Sequence, residues 1–211
     1  MMCGSFVGRA APLVAALILQ CSWTAAAAQD IQQITEEGQR QMLAAPGTDA
    51  VGARNPDVTV VEYFDYNCPY CKKLAPVLQA LLAGDHAVAV LYKDWPILGE
   101  VSVYAARSAL AARWQHKYLA AHDALMSGPR LAQYGQVDAI LKRAGINLDV
   151  LKEDRRIHSA DIDALLERNE AEARALSLRG TPGLVVGRLL VPGVVELDDL
   201  RKLVAHARRG S

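Results

Sequence analysis

The chain has 211 residues, enough for one domain carrying an insertion or for two small ones, and 52% of them are hydrophobic, as in a globular protein. Its 23 Lys and Arg balance 23 Asp and Glu. That balance provides neither a basic surface for nucleic acid nor an acidic tract that would stay unfolded, so nucleic acid is excluded as a partner and charge points to no other.

The first segment reads as an address. Arg9 precedes an apolar run from Ala10 to Leu19, and a series of small residues ends at Ala25-Ala26-Ala27-Ala28. This is the pattern of a cleavable secretory signal over 1–28, cut after Ala28, and it predicts a periplasmic mature protein. The apolar run is about ten residues, half of what a bilayer span needs. Cys21 follows Gln20, whereas a lipid-attachment site wants a small residue there.

Residues 29–57 read as an N-terminal helix and a linker. Asp30 and Gln33 stand at capping-box spacing, so a helix is predicted from Asp30 to Ala45, ended by Pro46-Gly47. Thr48 to Asp57 contains the breakers Gly52, Asn55 and Pro56. Val58 to Phe64 is an apolar, β-branched run, as expected of a strand buried on both faces. Pro69 suits the first turn of a helix. Leu74, Val77, Leu78 and Leu81 continue that helix, Pro76 should kink it, and Gly84-Asp85 should end it. Ala87 to Tyr92 reads as a second strand.

From Ser102 to about Leu178 the periodicity is helical, broken at Gly128-Pro129, at Gly145 and near Ser159–Asp161 into four helices. Thr181 to Val186 reads as a strand, Gly187-Arg188 as a hairpin turn, Leu189 to Val191 as its partner, and Glu196 to Ala207 as a final helix. The predicted fold is therefore one α/β layer, 58–99 and 179–211, with an all-helical insertion, 100–178.

The chemistry lies in Cys68-Pro69-Tyr70-Cys71. Cys3 and Cys21 fall in the signal, so these two thiols are the only ones left. One close pair is not a disulfide-stapled scaffold, and a bond closing so short a loop would add little stability. Reactivity explains the pair better. Cys68 opens the helix, where the dipole and free N–H groups stabilise a thiolate, so it is the attacking sulfur. Cys71, one turn inside, is the resolving sulfur. Lys72 and Lys73 read as solvated charges. The competing reading, half a zinc site, lacks a second pair of ligands: His116 and His122 are six apart, off one helical face, so no metal is expected.

The run Phe64-Asp65-Tyr66-Asn67-Cys68-Pro69-Tyr70-Cys71, the segment from Trp114 to His122-Asp123-Ala124-Leu125-Met126, and Gly180-Thr181-Pro182 opening a strand resemble the DsbA-like branch of the thioredoxin superfamily, in particular its exported Com1/ScsC-type members. The resemblance implies a thioredoxin-like fold and thiol-disulfide exchange with no cofactor. It implies that Pro182 is a cis-proline facing Cys68, and that Thr181 pairs with an extended substrate, with Pro69 and Tyr70 completing the binding surface. It implies that Glu62 is a buried acid assisting proton transfer at Cys71; the less favoured alternative is a strand-edge carboxylate open to water.

Oxidising members of the branch often place His where this chain has Tyr70. Tyr supplies no cation, so a less oxidising disulfide is expected here. The reading reached is a DsbA-like oxidase acting on exported proteins with cysteines, re-oxidised by a membrane partner and working as a monomer or weak homo-oligomer. The alternatives are an ScsC-type isomerase or reductase linked to copper tolerance, and a periplasmic chaperone or copper-binding module using the same thiols.

Overall fold

Val58–Phe64 forms the central strand, β3, of a six-stranded sheet. The structure, a computed structural model, describes Met1 and residues 32–44 and 50–210. The signal over 1–28, with Cys3 and Cys21, the Asp30 cap and the Pro46-Gly47 breaker lie outside the described residues. The chain divides into two units, Met1–Asp30 and Ile31–Ser211, and every element below belongs to the second.

The elements in chain order are β1 (Gln32–Gln33), α1 (Glu36–Leu43), β2 (Ala50–Gly52), β3, α2 (Pro69–Gly84) and β4 (Val88–Asp94). Then come α3 (Glu100–Ala111), α4 (Tyr118–Ser127), α5 (Tyr134–Arg143), α6 (Leu148–Ile157) and α7 (Ser159–Ala175). The chain returns through β5 (Gly183–Val186), β6 (Leu189–Pro192) and α8 (Leu197–Arg209). The sheet order is β1-β6-β5-β3-β4-β2. β3 and β4 are parallel, as they must be with a helix crossing between them, and β5 runs antiparallel to β3.

β3 is apolar along its length because both of its faces are covered. Val58, Val60 and Phe64 face Leu74, Leu78 and Leu81 of α2 and Leu200 and Val204 of α8. Val61 and Tyr63 face Met42 of α1 and Ala173 of α7. Each of the three α2 leucines is buried, a gain of roughly 1.5–3 kcal/mol apiece in area bookkeeping. α2 runs without interruption through Pro76. The helical insertion, α3 to α7, stands between β4 and β5.

Three expectations are corrected. The N-terminal helix is shorter than Asp30–Ala45: Gln32-Gln33 is a strand paired with β6, and the helix is capped by Thr35, whose side chain accepts from the Gly38 N–H at 3.1 Å. The segment Thr48–Asp57 is not only linker, because Ala50–Gly52 pairs with β4. Three residues, Ala50, Val51 and Gly52, are too few to carry a period. Gly52 is required there, since its φ is +108° and a Cβ would meet the Val88 carbonyl oxygen at 2.5 Å. The insertion holds five α-helices, not four. The extra break follows a 3₁₀ turn at 112–115 and falls at His116, a left-handed residue (φ 54°) in a run without Gly or Pro.

Candidate active site

The turn from β3 into α2 is built around Asp65. Its carboxylate accepts from the Asn67 N–H at 2.7 Å and from the Leu98 N–H at 2.8 Å, tying the turn to the loop after β4. Asn67 then pairs both ways with the Leu131 backbone, its amide donating at 3.0 Å and accepting at 2.7 Å. Pro69 opens α2 and leaves Cys68 at the cap position with extended backbone. The thiols are free.

Both sulfurs sit out of water, Cys68 at 3% exposure and Cys71 at 0%, but their chemistry is opposite. The Cys68 pKa is lowered to about 5, chiefly by a hydrogen bond from Cys71, against the cost of burial, with help from Thr181 and from the Cys71 and Tyr70 N–H groups of the first helical turn. In the thiol form the Cys68 Sγ lies 3.1 Å from the Thr181 carbonyl oxygen. Burial pushes Cys71 far above the ordinary thiol range, and the neighbouring Cys68 and Glu62 add to it. One turn of helix thus separates a ready nucleophile from a thiol that needs a base.

Glu62 lies on β3 below this pair at 1% exposure, and neither of its carboxylate oxygens has a hydrogen-bond partner. Burial first, then Cys68 and Asp94, raise its pKa to about 8. The strand-edge reading of this residue is therefore overturned: Glu62 lies in the core.

The Thr181–Pro182 peptide is cis, with Pro182 buried at the mouth of β5. Tyr70 is 56% exposed at the start of α2, with the Lys73 ammonium 5.5 Å from its ring centre. Lys72 is not the solvated charge its type suggested. Its ammonium donates to the Leu125 carbonyl at 2.6 Å and the Met126 carbonyl at 3.3 Å, stapling α2 to the end of α4. Burial pulls its pKa down to about 8, with Cys71, Asp65 and Cys68 opposing the shift.

Behind the sulfurs is an aromatic cluster that sequence reasoning missed. His122 packs on Tyr92 with ring centres 4.0 Å apart and planes tilted by 32°, meets Phe64 edge-on at 4.9 Å, and its Nδ1 lies 3.3 Å from the Tyr66 hydroxyl. Burial depresses its pKa to about 3, so the ring is neutral. Asp94, Asp65 and Asn67 were missed as well. The last two stand in the run around the cysteines, and their short side chains before a helix start were an available sign of turn-building.

The lowered Cys68 pKa sets an expected pH dependence. The thiolate contributes stability to the reduced protein only, in full above the ordinary thiol pKa and progressively less as pH falls through about 5. Reduced protein should therefore outlast oxidised protein in urea at pH 8, with the gap closing towards pH 4. Thiolate absorbance at 240 nm should titrate near pH 5. A midpoint near 3.5, the value of the strongest oxidants, would contradict the role given to Tyr70.

Residues 59–205 match the family model described as DSBA-like thioredoxin domain. A thioredoxin-like oxidoreductase from Silicibacter pomeroyi is 39% identical, with 84% of this chain and 100% of that one covered at a TM-score of 0.78. A periplasmic thioredoxin-like protein from Salmonella enterica serovar Typhimurium is 31% identical over 84% of this chain and 99% of its own, at 0.72. The catalytic domain of ScsC from Proteus mirabilis is 26% identical over 82% and 96%, at 0.69. Among curated proteins, a Na(+)/H(+) antiporter NhaA 3 from Salinispora tropica is 31% identical over 77% of this chain but only 25% of its own length. The chain spans about a quarter of the length of the curated relatives it matches. Among the described residues no helix is long and apolar enough to cross a membrane.

Proposed function

The chain belongs to the DSBA-like thioredoxin domain family, whose members carry out thiol-disulfide exchange, and from that premise we propose that it is an exported oxidase that donates the Cys68–Cys71 disulfide to cysteines of other exported proteins. The observation that carries this reading is the inequality of the two sulfurs, Cys68 favoured as thiolate and Cys71 strongly disfavoured. A stabilised Cys68 thiolate favours the reduced form, and so makes the disulfide a willing acceptor of electrons.

In the forward reaction a substrate thiolate attacks Cys68 Sγ, and the Cys68–Cys71 bond breaks. Cys71 leaves with the electron pair and takes a proton from Glu62. A second substrate thiolate then attacks the substrate sulfur of the mixed disulfide, and Cys68 departs as a thiolate. Two electrons have passed from substrate to protein, and none needs an organic cofactor or metal. Thr181 and Pro182 bind the extended substrate, with Tyr70 and Pro69 at the rim.

Export is supported by the signal pattern over 1–28 and by likeness to the periplasmic Salmonella protein. A membrane partner re-oxidises the pair. A monomer is supported by α1, which is committed to its own sheet: Met42 is buried there, and the Gln39 amide donates to the Gly187 carbonyl at 2.9 Å. The test is direct. Oxidised protein should form disulfides in a reduced multi-cysteine substrate, and pre-reduced protein should not restore activity to a scrambled one. Efficient rescue of the scrambled substrate would make it an isomerase and overturn the reading.

A further inference from the structure

The sheet holds two buried carboxylates on one face, and the exchange reaction uses one of them. Glu62 stands opposite Tyr92, and Phe64 opposite Asp94, in the parallel register of β3 and β4. Side chains alternate along a strand, so Glu62, Phe64, Tyr92 and Asp94 share the face that α2 covers with Cys71. Glu62 and Asp94 are both 1% exposed.

Their surroundings differ. Asp94 Oδ2 accepts from the Tyr118 hydroxyl at 2.9 Å, Tyr66 also reaches Asp94, and Arg113 offsets its charge; Oδ1 alone has no partner. Glu62 has no donor at either oxygen. The groups around it are Cys68 at the cap of α2, Cys71 on α2, and Tyr92 and Asp94 on β4. His122, from α4, packs on Tyr92 as a neutral ring. Lys93 points to the opposite face, towards Glu172 and the Met42 carbonyl.

Two carboxylates on one dry face do not both ionise cheaply, and the one with donors keeps the charge. We propose that Asp94 is a positioning residue that keeps Glu62 protonated: held as the anion by Tyr118 and Arg113, it opposes loss of the Glu62 proton until Cys71 takes it. The proposal rests on Glu62 being the proton partner of Cys71. After the proton moves, the new Glu62 carboxylate faces an anionic Asp94, which drives its reprotonation from water and resets the site. Burial raises both carboxyls, Asp94 to about 7, partly offset by Tyr118 and Arg113, and Glu62 to about 8, with Asp94 among the groups that raise it.

The test is a carboxyl-carbon NMR titration of Glu62 in the oxidised protein, where no thiolate contributes. Asp94→Asn should move the Glu62 midpoint down by about one pH unit, since it removes a like charge. Tyr118→Phe should move it the same way, because Asp94 without its donor holds its own proton to higher pH. This second variant keeps the test alive should Asp94→Asn fail to fold. The alkaline fall in disulfide-donation rate should begin correspondingly earlier in both. Slower rates with unmoved midpoints would mean a merely structural Asp94 and overturn the proposal. Moving midpoints with an undiminished rate in Glu62→Gln would instead overturn the reading of Glu62 and leave the coupling standing.

Discussion

Replacing Cys68 by Ser should reduce disulfide exchange to background, whereas Cys71→Ser should retain the first step and stop there. The asymmetry follows from where the sulfurs sit. Cys68 carries the lowered pKa at the start of α2, so only it supplies a thiolate at neutral pH. With Cys71 replaced, that thiolate still attacks a substrate disulfide, but nothing one turn away displaces the substrate. Non-reducing gels and intact mass should show a lasting adduct of one substrate chain for Cys71→Ser and none for Cys68→Ser. Adducts through Cys71 in the Cys68→Ser protein would contradict the assignment.

The largest stability effect is expected at Glu172, on the other side of the sheet. Lys93 is fully buried, and its ammonium donates to Glu172 Oε2 at 2.5 Å and to the Met42 carbonyl at 3.1 Å. The Tyr63 hydroxyl donates to the same Glu172 oxygen at 2.9 Å. Glu172→Ala leaves a buried cation held by one carbonyl, which costs roughly 3–5 kcal/mol. Burial already lowers the Lys93 pKa, with Glu172 working against that shift, so removing Glu172 lowers it further. The loss should therefore shrink at high pH, where Lys93 sheds its proton in the folded state. Urea midpoints at pH 7 and pH 10 measure both statements. The double replacement Lys93→Met with Glu172→Leu should recover most of the stability, because it removes both charges at once.

Much of this architecture was legible because its signals are local. β3 runs over the very residues, Val58 to Phe64, whose apolar, β-branched pattern predicts it. Cys68 and Pro69 open α2 as the position of the proline requires. Glu62 could be singled out as an acid in an apolar strand, although its burial depends on α2 and α4, which no local pattern reveals. The short strands β1 and β2 were illegible because two or three residues carry no period, and their pairing is decided by edges formed far away in the chain. Lys72 was misread for a similar reason: its partners are carbonyls at the end of α4, and a long aliphatic stem carries its charge to them. Asp94 was missed because an Asp at a strand end reads as a turn residue, and the partners of its buried carboxyl, Tyr118 and Arg113, are brought across by the insertion.

The direction of electron flow is the central claim, and the equilibrium of the Cys68–Cys71 pair with glutathione tests it most directly. With the Cys68 pKa near 5 and no histidine beside it, the potential should fall between those of the strongest oxidants and thioredoxin, about −120 and −270 mV. A value at or below thioredoxin's would mean that the pair gives electrons to its substrates, and the oxidase account would be wrong.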